Sequence, residues 1–183
     1  MIEPIRGDGA LTVVLPEELH RRILPWRRAY DAKHIHIPSN ITVVYPPFVR
    51  EPEWAAARPA LAQVLAGFST FETTIRTVGG FGGEPLVLWL KPEDEGTLAR
   101  IHAALEDAFP AWVPPMPWEF VPHVTIGFFD TEAALENARR HILSELEPMR
   151  WRVSALSYLT MGEDGVWRVL DRLALGCLPD TGE

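Results

Sequence analysis

Two stretches of the chain begin alike: Ile37-Pro38-Ser39-Asn40-Ile41-Thr42-Val43-Val44-Tyr45 and Phe120-Val121-Pro122-His123-Val124-Thr125-Ile126-Gly127-Phe128. Aligned on their threonines, each reads polar-aliphatic-Thr-aliphatic, just after a proline and a loop and ahead of a helical segment. Side chains alternate faces along a strand. Asn40 and Thr42 therefore share one face, and Ile41 and Val43 the other. His123 and Thr125 likewise oppose Val124 and Ile126. The aliphatics can enter a core while the polar pairs face a cleft or water. A lone threonine in a strand is ordinary β-propensity. It is the repetition that suggests two related halves whose polar pairs point at each other, with hydroxyls for phosphate oxygens and a histidine for proton transfer.

Outward from these stretches, the pattern alternates strands with helices. Ala10 to Leu15 reads as a buried strand, and Pro16-Glu17-Glu18 opens a helix that Pro25 kinks or ends. Ile41 to Tyr45 is the next strand, stopped by Pro46-Pro47. Glu53 to Phe68 has helical spacing of apolar residues. Thr70 to Val78 and Pro85 to Leu90 read as a strand pair joined by a turn at Gly79 to Gly83. Glu95 to Phe109 reads as a helix, Ala111 to Pro122 as a loop, and His123 to Phe129 as a strand. Thr131 caps a helix to about Leu146. Two strands close the chain, Trp151 to Met161 and Trp167 to Leu175, with a turn at Glu163-Asp164-Gly165.

The composition bounds the function. The 183 residues are 47% hydrophobic and 23% charged, which suits a globular unit of two lobes spanning residues 1–183. No apolar run approaches the ~20 residues of a membrane helix, and Glu3, Arg6 and Asp8 argue against a signal peptide. A net charge of -8 argues against coating long duplex DNA, though not against one phosphate held locally. The single cysteine, Cys177, excludes an intramolecular disulfide framework and multi-cysteine metal sites; a cytoplasmic setting follows by default. His34-x-His36 lacks a third ligand for metal, so neither metal nor cofactor is expected. Gly79 to Gly83 lies between two strands and reads as a turn, not a phosphate loop. His102 and His141 fall within helices. Lysine occurs only at Lys33 and Lys91; every other cation is an arginine.

At this point the sequence resembles the two-histidine (2H) phosphoesterase superfamily, in its bacterial 2′-5′ RNA ligase-like branch. That family carries two His-x-Thr/Ser-x motifs, x being hydrophobic. The second is intact as His123-Val124-Thr125-Ile126, and the surroundings of the first match in Ile37-Pro38 and Ile41 to Phe48. Trp26-Arg27-x-x-Tyr30-Asp31 is similar to the family's preceding helix. Leu156-x-Tyr158-Leu159 through Gly165-x-Trp167 to Leu175-Gly176 is similar to its closing hairpin. The resemblance implies an α+β fold of two pseudo-symmetric antiparallel sheets with outer helices and a central cleft. It implies metal-free chemistry on 2′,3′-cyclic phosphates or on 2′-5′ links at RNA ends. One histidine activates water or a hydroxyl, the other protonates the leaving oxygen, and the threonines hold the phosphate. The implied catalytic set is His123, Thr125, Thr42 and Asn40, with Tyr158 and Trp167 as substrate-binding residues and a nucleotide or RNA terminus bound by a monomer.

The chain departs from the family at Asn40, where the first histidine belongs. Asparagine hydrogen-bonds but does not exchange a proton near neutral pH. A general acid or base is worth about 10²–10⁴-fold in rate. His36 lies four residues away, beyond Pro38, and is a poor substitute. Three readings stay open: a binding protein without turnover, an enzyme using one histidine on a substrate that needs no acid, or an engineered substitution at Asn40. A structural protein with a vestigial cleft is the contrasting class.

Overall fold

β-branched and aliphatic runs become strands here, and the apolar stripes at helical spacing become helices laid on them. The structure, a computed structural model, describes residues 4–113 and 118–176. In chain order these are β1 (Gly9–Val14), α1 (Glu17–Tyr30), β2 (Asn40–Val44), α2 (Trp54–Ala66), β3 (Phe71–Phe81), β4 (Leu86–Glu93), α3 (Thr97–Ala108), β5 (Val124–Phe129), α4 (Glu132–Glu145), β6 (Met149–Val153), β7 (Ala155–Met161) and β8 (Trp167–Ala174). A short 3-10 turn, Glu51–Glu53, leads into α2.

The strands form two four-stranded antiparallel sheets, ordered β2-β1-β7-β8 and β5-β4-β3-β6. The expected α+β architecture of two antiparallel sheets with outer helices is therefore the one observed. The orders correspond. β1-α1-β2 in the first sheet matches β4-α3-β5 in the second, and each motif strand lies at the outer edge of its sheet.

The crossover helices are exchanged. α1 connects two strands of the first sheet but packs against β5 of the second. α3 connects two strands of the second sheet but packs against β2 of the first. At Gly127 a Cβ would sit 2.6 Å from the carbonyl oxygen of Tyr30, so glycine is what lets the end of α1 press onto β5. α2 covers β8 and α4 covers β3, β4 and β5, so the exchange joins the two halves through one apolar core.

One expectation is narrowed and two are corrected. Of the two outcomes expected at Pro25, an end of the helix is excluded, for α1 runs through it to Tyr30, with Trp26 and Arg27 buried beyond the proline. Gly79 and Gly80 are not turn residues. They pair with Trp89 and Leu88 inside the ladder, and the turn falls after Phe81. Gly79 has no side chain because the Trp89 indole lies where a Cβ would be. The expected strand from Trp151 to Met161 is two strands, for the chain leaves the second sheet after Val153 and enters the first at Ala155. The cap at Thr131 holds, its hydroxyl accepting from the Ala134 N–H at 3.3 Å. Cys177 lies outside the described residues.

Candidate functional site

The alternation read from the sequence sets the face of each motif residue. Ile41, Val43, Val124 and Ile126 are buried, and Asn40, Thr42, His123 and Thr125 are half-buried on the helix-free faces. β2 and β5 approach within 8 Å at Cα. The two motif strands are thus brought together.

Antiparallel register extends the first motif inward. Thr42 pairs with Thr12, Thr12 with Ser157, and Ser157 with Arg172. Three hydroxyls and a guanidinium-bearing residue therefore stand in one row on one face. In the second sheet Thr125 pairs with Trp89, and Trp89 with Gly79. The Thr12 hydroxyl and the Trp89 indole N–H are buried and have no protein partner among the described residues.

His123 is held on three sides. Its Nδ1–H donates to the Val121 carbonyl at 2.8 Å. Phe81 meets the ring edge-on at 4.9 Å between centroids, and Trp89 lies at 5.9 Å. A carbonyl only accepts, so Nδ1 carries the proton and the neutral ring keeps its lone pair on Nε2. Burial pushes the His123 pKa below its ordinary value, against a smaller upward pull from the Val121 hydrogen bond. The result is a neutral imidazole with a fixed tautomer, suited to accept a proton.

The first motif is held differently. The Asn40 side-chain amide donates to Thr42 Oγ1 at 3.1 Å, which leaves the Thr42 hydroxyl proton free to donate elsewhere. The approach to β2 is fixed by a buried ion pair. Arg27 grips Asp31 Oδ2 through Nε at 3.2 Å and Nη2 at 2.8 Å, both residues being almost wholly buried. Its Nη1 donates to the Ile37 carbonyl and to Ser39 Oγ. His20 Nδ1 lies 2.9 Å from the same Ser39 hydroxyl. From the other side, His102 on α3 donates through Nδ1 to the Val43 carbonyl at 2.8 Å and stacks on Phe120. His102 is therefore structural, and it braces the first motif strand.

Tyr158 is corrected as a substrate-binding residue. Its side chain has no exposed surface. The ring stacks on Trp54 at 3.7 Å on the helix-covered face, and the hydroxyl donates to the Val49 carbonyl at 2.7 Å. Trp167 is half-buried and lines a groove beside the first motif. His34 and His36 line that groove also, whereas His141 is exposed on α4 near Tyr30. Among the described residues no three His, Cys, Asp or Glu side chains form a metal-binding cluster. Sequence reasoning missed Thr12, Phe81, Trp89 and the bracing role of His102. Thr12 was legible as the one polar residue in an otherwise aliphatic strand. The others needed the register.

A likeness to known proteins can be set beside this geometry. Among solved structures similar to this one is the TT0787 protein of Thermus thermophilus, at 20% identity and TM-score 0.65, covering 94% of this chain and 98% of that one. E. coli LigT complexed with 3′-AMP aligns at 19% identity and TM-score 0.63, covering 96% and 100%. Kluyveromyces marxianus Usb1 aligns at 12% identity and TM-score 0.53, covering 93% and 99%. At these identities the likeness is one of fold. LigT has also been solved with NADP+, ATP and phosphate. No functionally curated protein matches in sequence. The family model of the 2′-5′ RNA ligase superfamily matches residues 15–165, a span that holds both motif strands, and the chain belongs to that superfamily.

Proposed function

We propose that this chain is a 2H-type phosphoesterase acting on 2′,3′-cyclic nucleotides, or on 2′-5′ or cyclic phosphodiesters at RNA termini, with its acid–base pair reduced to one member. The observation that carries the reading is His123, neutral and tautomer-fixed, on a strand edge that adjoins the strand of Asn40 and Thr42. Nucleotide complexes of LigT, on the same fold, support a nucleotide as ligand. The reading takes residues 1–183 as one unit, working as a cytoplasmic monomer.

In this mechanism His123 Nε2 takes a proton from water or a ribose hydroxyl as that oxygen attacks phosphorus. The Thr42 and Thr125 hydroxyls donate to the non-bridging oxygens, whose charge grows in the transition state. The Asn40 amide adds an N–H donor but no transferable proton. The departing ribose oxygen draws its proton from solvent, which forfeits about 10²–10⁴ in rate, or roughly 3–5 kcal/mol of barrier. Trp167, beside the first motif, is the residue this reading assigns to a nucleoside of the bound RNA end. Asn40 also motivates a second reading, a nucleotide or RNA-end binding module without turnover.

A side-by-side assay decides. The native protein, Asn40→His and His123→Ala are given the four 2′,3′-cyclic nucleotides, and products are separated by chromatography. Asn40→His should raise turnover at least ~10²-fold, and His123→Ala should abolish it. Native turnover lost in His123→Ala rejects the binding module. If Asn40→His and the native protein are both inactive yet bind nucleotide, the module reading takes over.

A further inference from the structure

Three histidines, His20, His34 and His36, line a groove of about 440 Å³ that contains neither His123 nor Thr125. α1 supplies Glu17, His20, Leu24 and Arg28 along one side, at helical spacing. The segment His34 to Ser39 supplies the other, and Trp167 closes it, its backbone N–H donating to the His36 carbonyl at 2.7 Å. The volume lies within the ~300–1,000 Å³ of ligand sites.

Its lining holds one cation, Arg28, and one acid, Glu17, in a chain whose net charge is -8. Arg28 is exposed and has neither ion pair nor side-chain hydrogen bond among the described residues. Glu17, the one lining acid, is paired with Arg21 at 2.9 Å. His20 Nδ1 lies in hydrogen-bond reach of the Ser39 hydroxyl, which already accepts from Arg27, so that hydroxyl can donate to Nδ1 and leave His20 Nε2–H as a donor; His34 Nδ1 donates to the Asp31 carbonyl, which leaves its Nε2 as an acceptor for a ribose hydroxyl or base. His36 shows no side-chain bond among the described residues. These donors do not converge as a metal cluster, but an anion needs only donors and a cation. Trp167 adds an aromatic face.

The groove also abuts the motif pair. Ser39 precedes Asn40 in the chain, and Val14 is the strand partner of Asn40. We infer that the groove binds the nucleotide next to the reacting phosphodiester, with Arg28 and His20 on its phosphate, His34 and His36 beside its sugar and Trp167 on its base. The preferred substrate is then an RNA end at least a dinucleotide long, not a free cyclic mononucleotide. This rests on the phosphoesterase reading, and the test separates the two.

Adenosine 2′,3′-cyclic phosphate and the adenylyl-adenosine dinucleotide ending in a 2′,3′-cyclic phosphate are titrated calorimetrically into the native protein, Arg28→Ala and Trp167→Ala. Histidine ring resonances, assigned by single replacements, are followed in parallel. The native protein should bind the dinucleotide about tenfold more tightly. Each variant should shrink that ratio, and the His34 and His36 resonances should move with the dinucleotide alone. Equal affinities, with His123 responding and the groove histidines silent, overturn the groove and leave the phosphoesterase reading standing. Groove histidines that respond while His123 stays silent sustain the groove and sink that reading. Silence at both sites overturns both.

Discussion

At the scale of single residues, the chemistry we propose turns on His123 and Asn40, which the sequence singled out because a histidine and an asparagine occupy the same place in a repeated pattern. It could not show the tautomer, which comes from the Val121 carbonyl, nor the aromatic walls of Phe81 and Trp89, which come from a neighbouring strand. Those walls give a pH prediction. Burial lowers the His123 pKa from 6.5, the value the unfolded chain keeps. Between the two values the unfolded chain holds more protons, so acid favours unfolding there. The stability that neutral His123 contributes is whole above the unfolded value and is lost as pH falls through the folded one. The His123 ring signal should therefore inflect below 6.5. The fall in unfolding midpoint on acidification should be shallower in His123→Gln. An inflection at or above the ordinary value would remove the argument that His123 stands ready as a base. Tyr158 shows the opposite lesson: its motif-like position near the chain's end drew attention, yet its polar tip is spent on Val49 inside the core.

At the scale of elements, helices and strands were largely legible from periodicity, and the misreadings have physical causes. A Gly-Gly pair signals a turn when nothing else is known, but here glycine makes room for an indole across the ladder. The stretch from Trp151 to Met161 has one strand's pattern, and only the pairing partners β3 and β1 show that the chain changes sheets within it. Proline inside a helix removes one backbone bond and often ends the helix. α1 outlasts Pro25 because Trp26, Arg27 and Tyr30 beyond it are anchored by tertiary contacts. Of these Arg27 is the most consequential, since one guanidinium holds Asp31, Ile37 and Ser39 and so sets the start of β2. Arg27→Met should cost about 3–5 kcal/mol, because it strands a buried carboxylate. Adding Asp31→Leu should recover part of the loss but not all, since the Ile37 carbonyl and Ser39 still lack their donor. Urea denaturation of the native protein and both variants measures this. A single-variant loss below about 1 kcal/mol, the range of exposed pairs, would show that the ion pair does not anchor β2.

At the scale of the whole molecule, the pseudo-symmetric pair of sheets could be expected from the repeated motif, but the exchange of crossover helices could not. An amphipathic stripe tells how much of a helix is buried, not against which sheet. Leu19, Ile23 and Trp26 would read the same on either. The exchange has a consequence for cooperativity. The first sheet's own crossover helix covers β5, and the second sheet's covers β2, so unfolding either half uncovers the motif strand of the other. Tyr30 against Gly127 and His102 against Val43 are the contacts through which that coupling runs. The two sheets should therefore unfold as one unit, although each has enough strands to suggest a lobe of its own. Trp26 on α1, Trp54 on α2, Trp89 on β4 and Trp167 on β8 place indole probes in both halves. Variants keeping only Trp54 or only Trp89 should give urea transitions with coincident midpoints, matching the loss of far-ultraviolet dichroism. Replacing His102 with Ala removes a bond that physically belongs to the first sheet's edge, yet it should lower both midpoints together, by about 1–3 kcal/mol in stability. Separated midpoints, or a loss confined to the Trp54 signal, would mean that the halves fold independently and that the motif strands meet by docking instead of by a shared core.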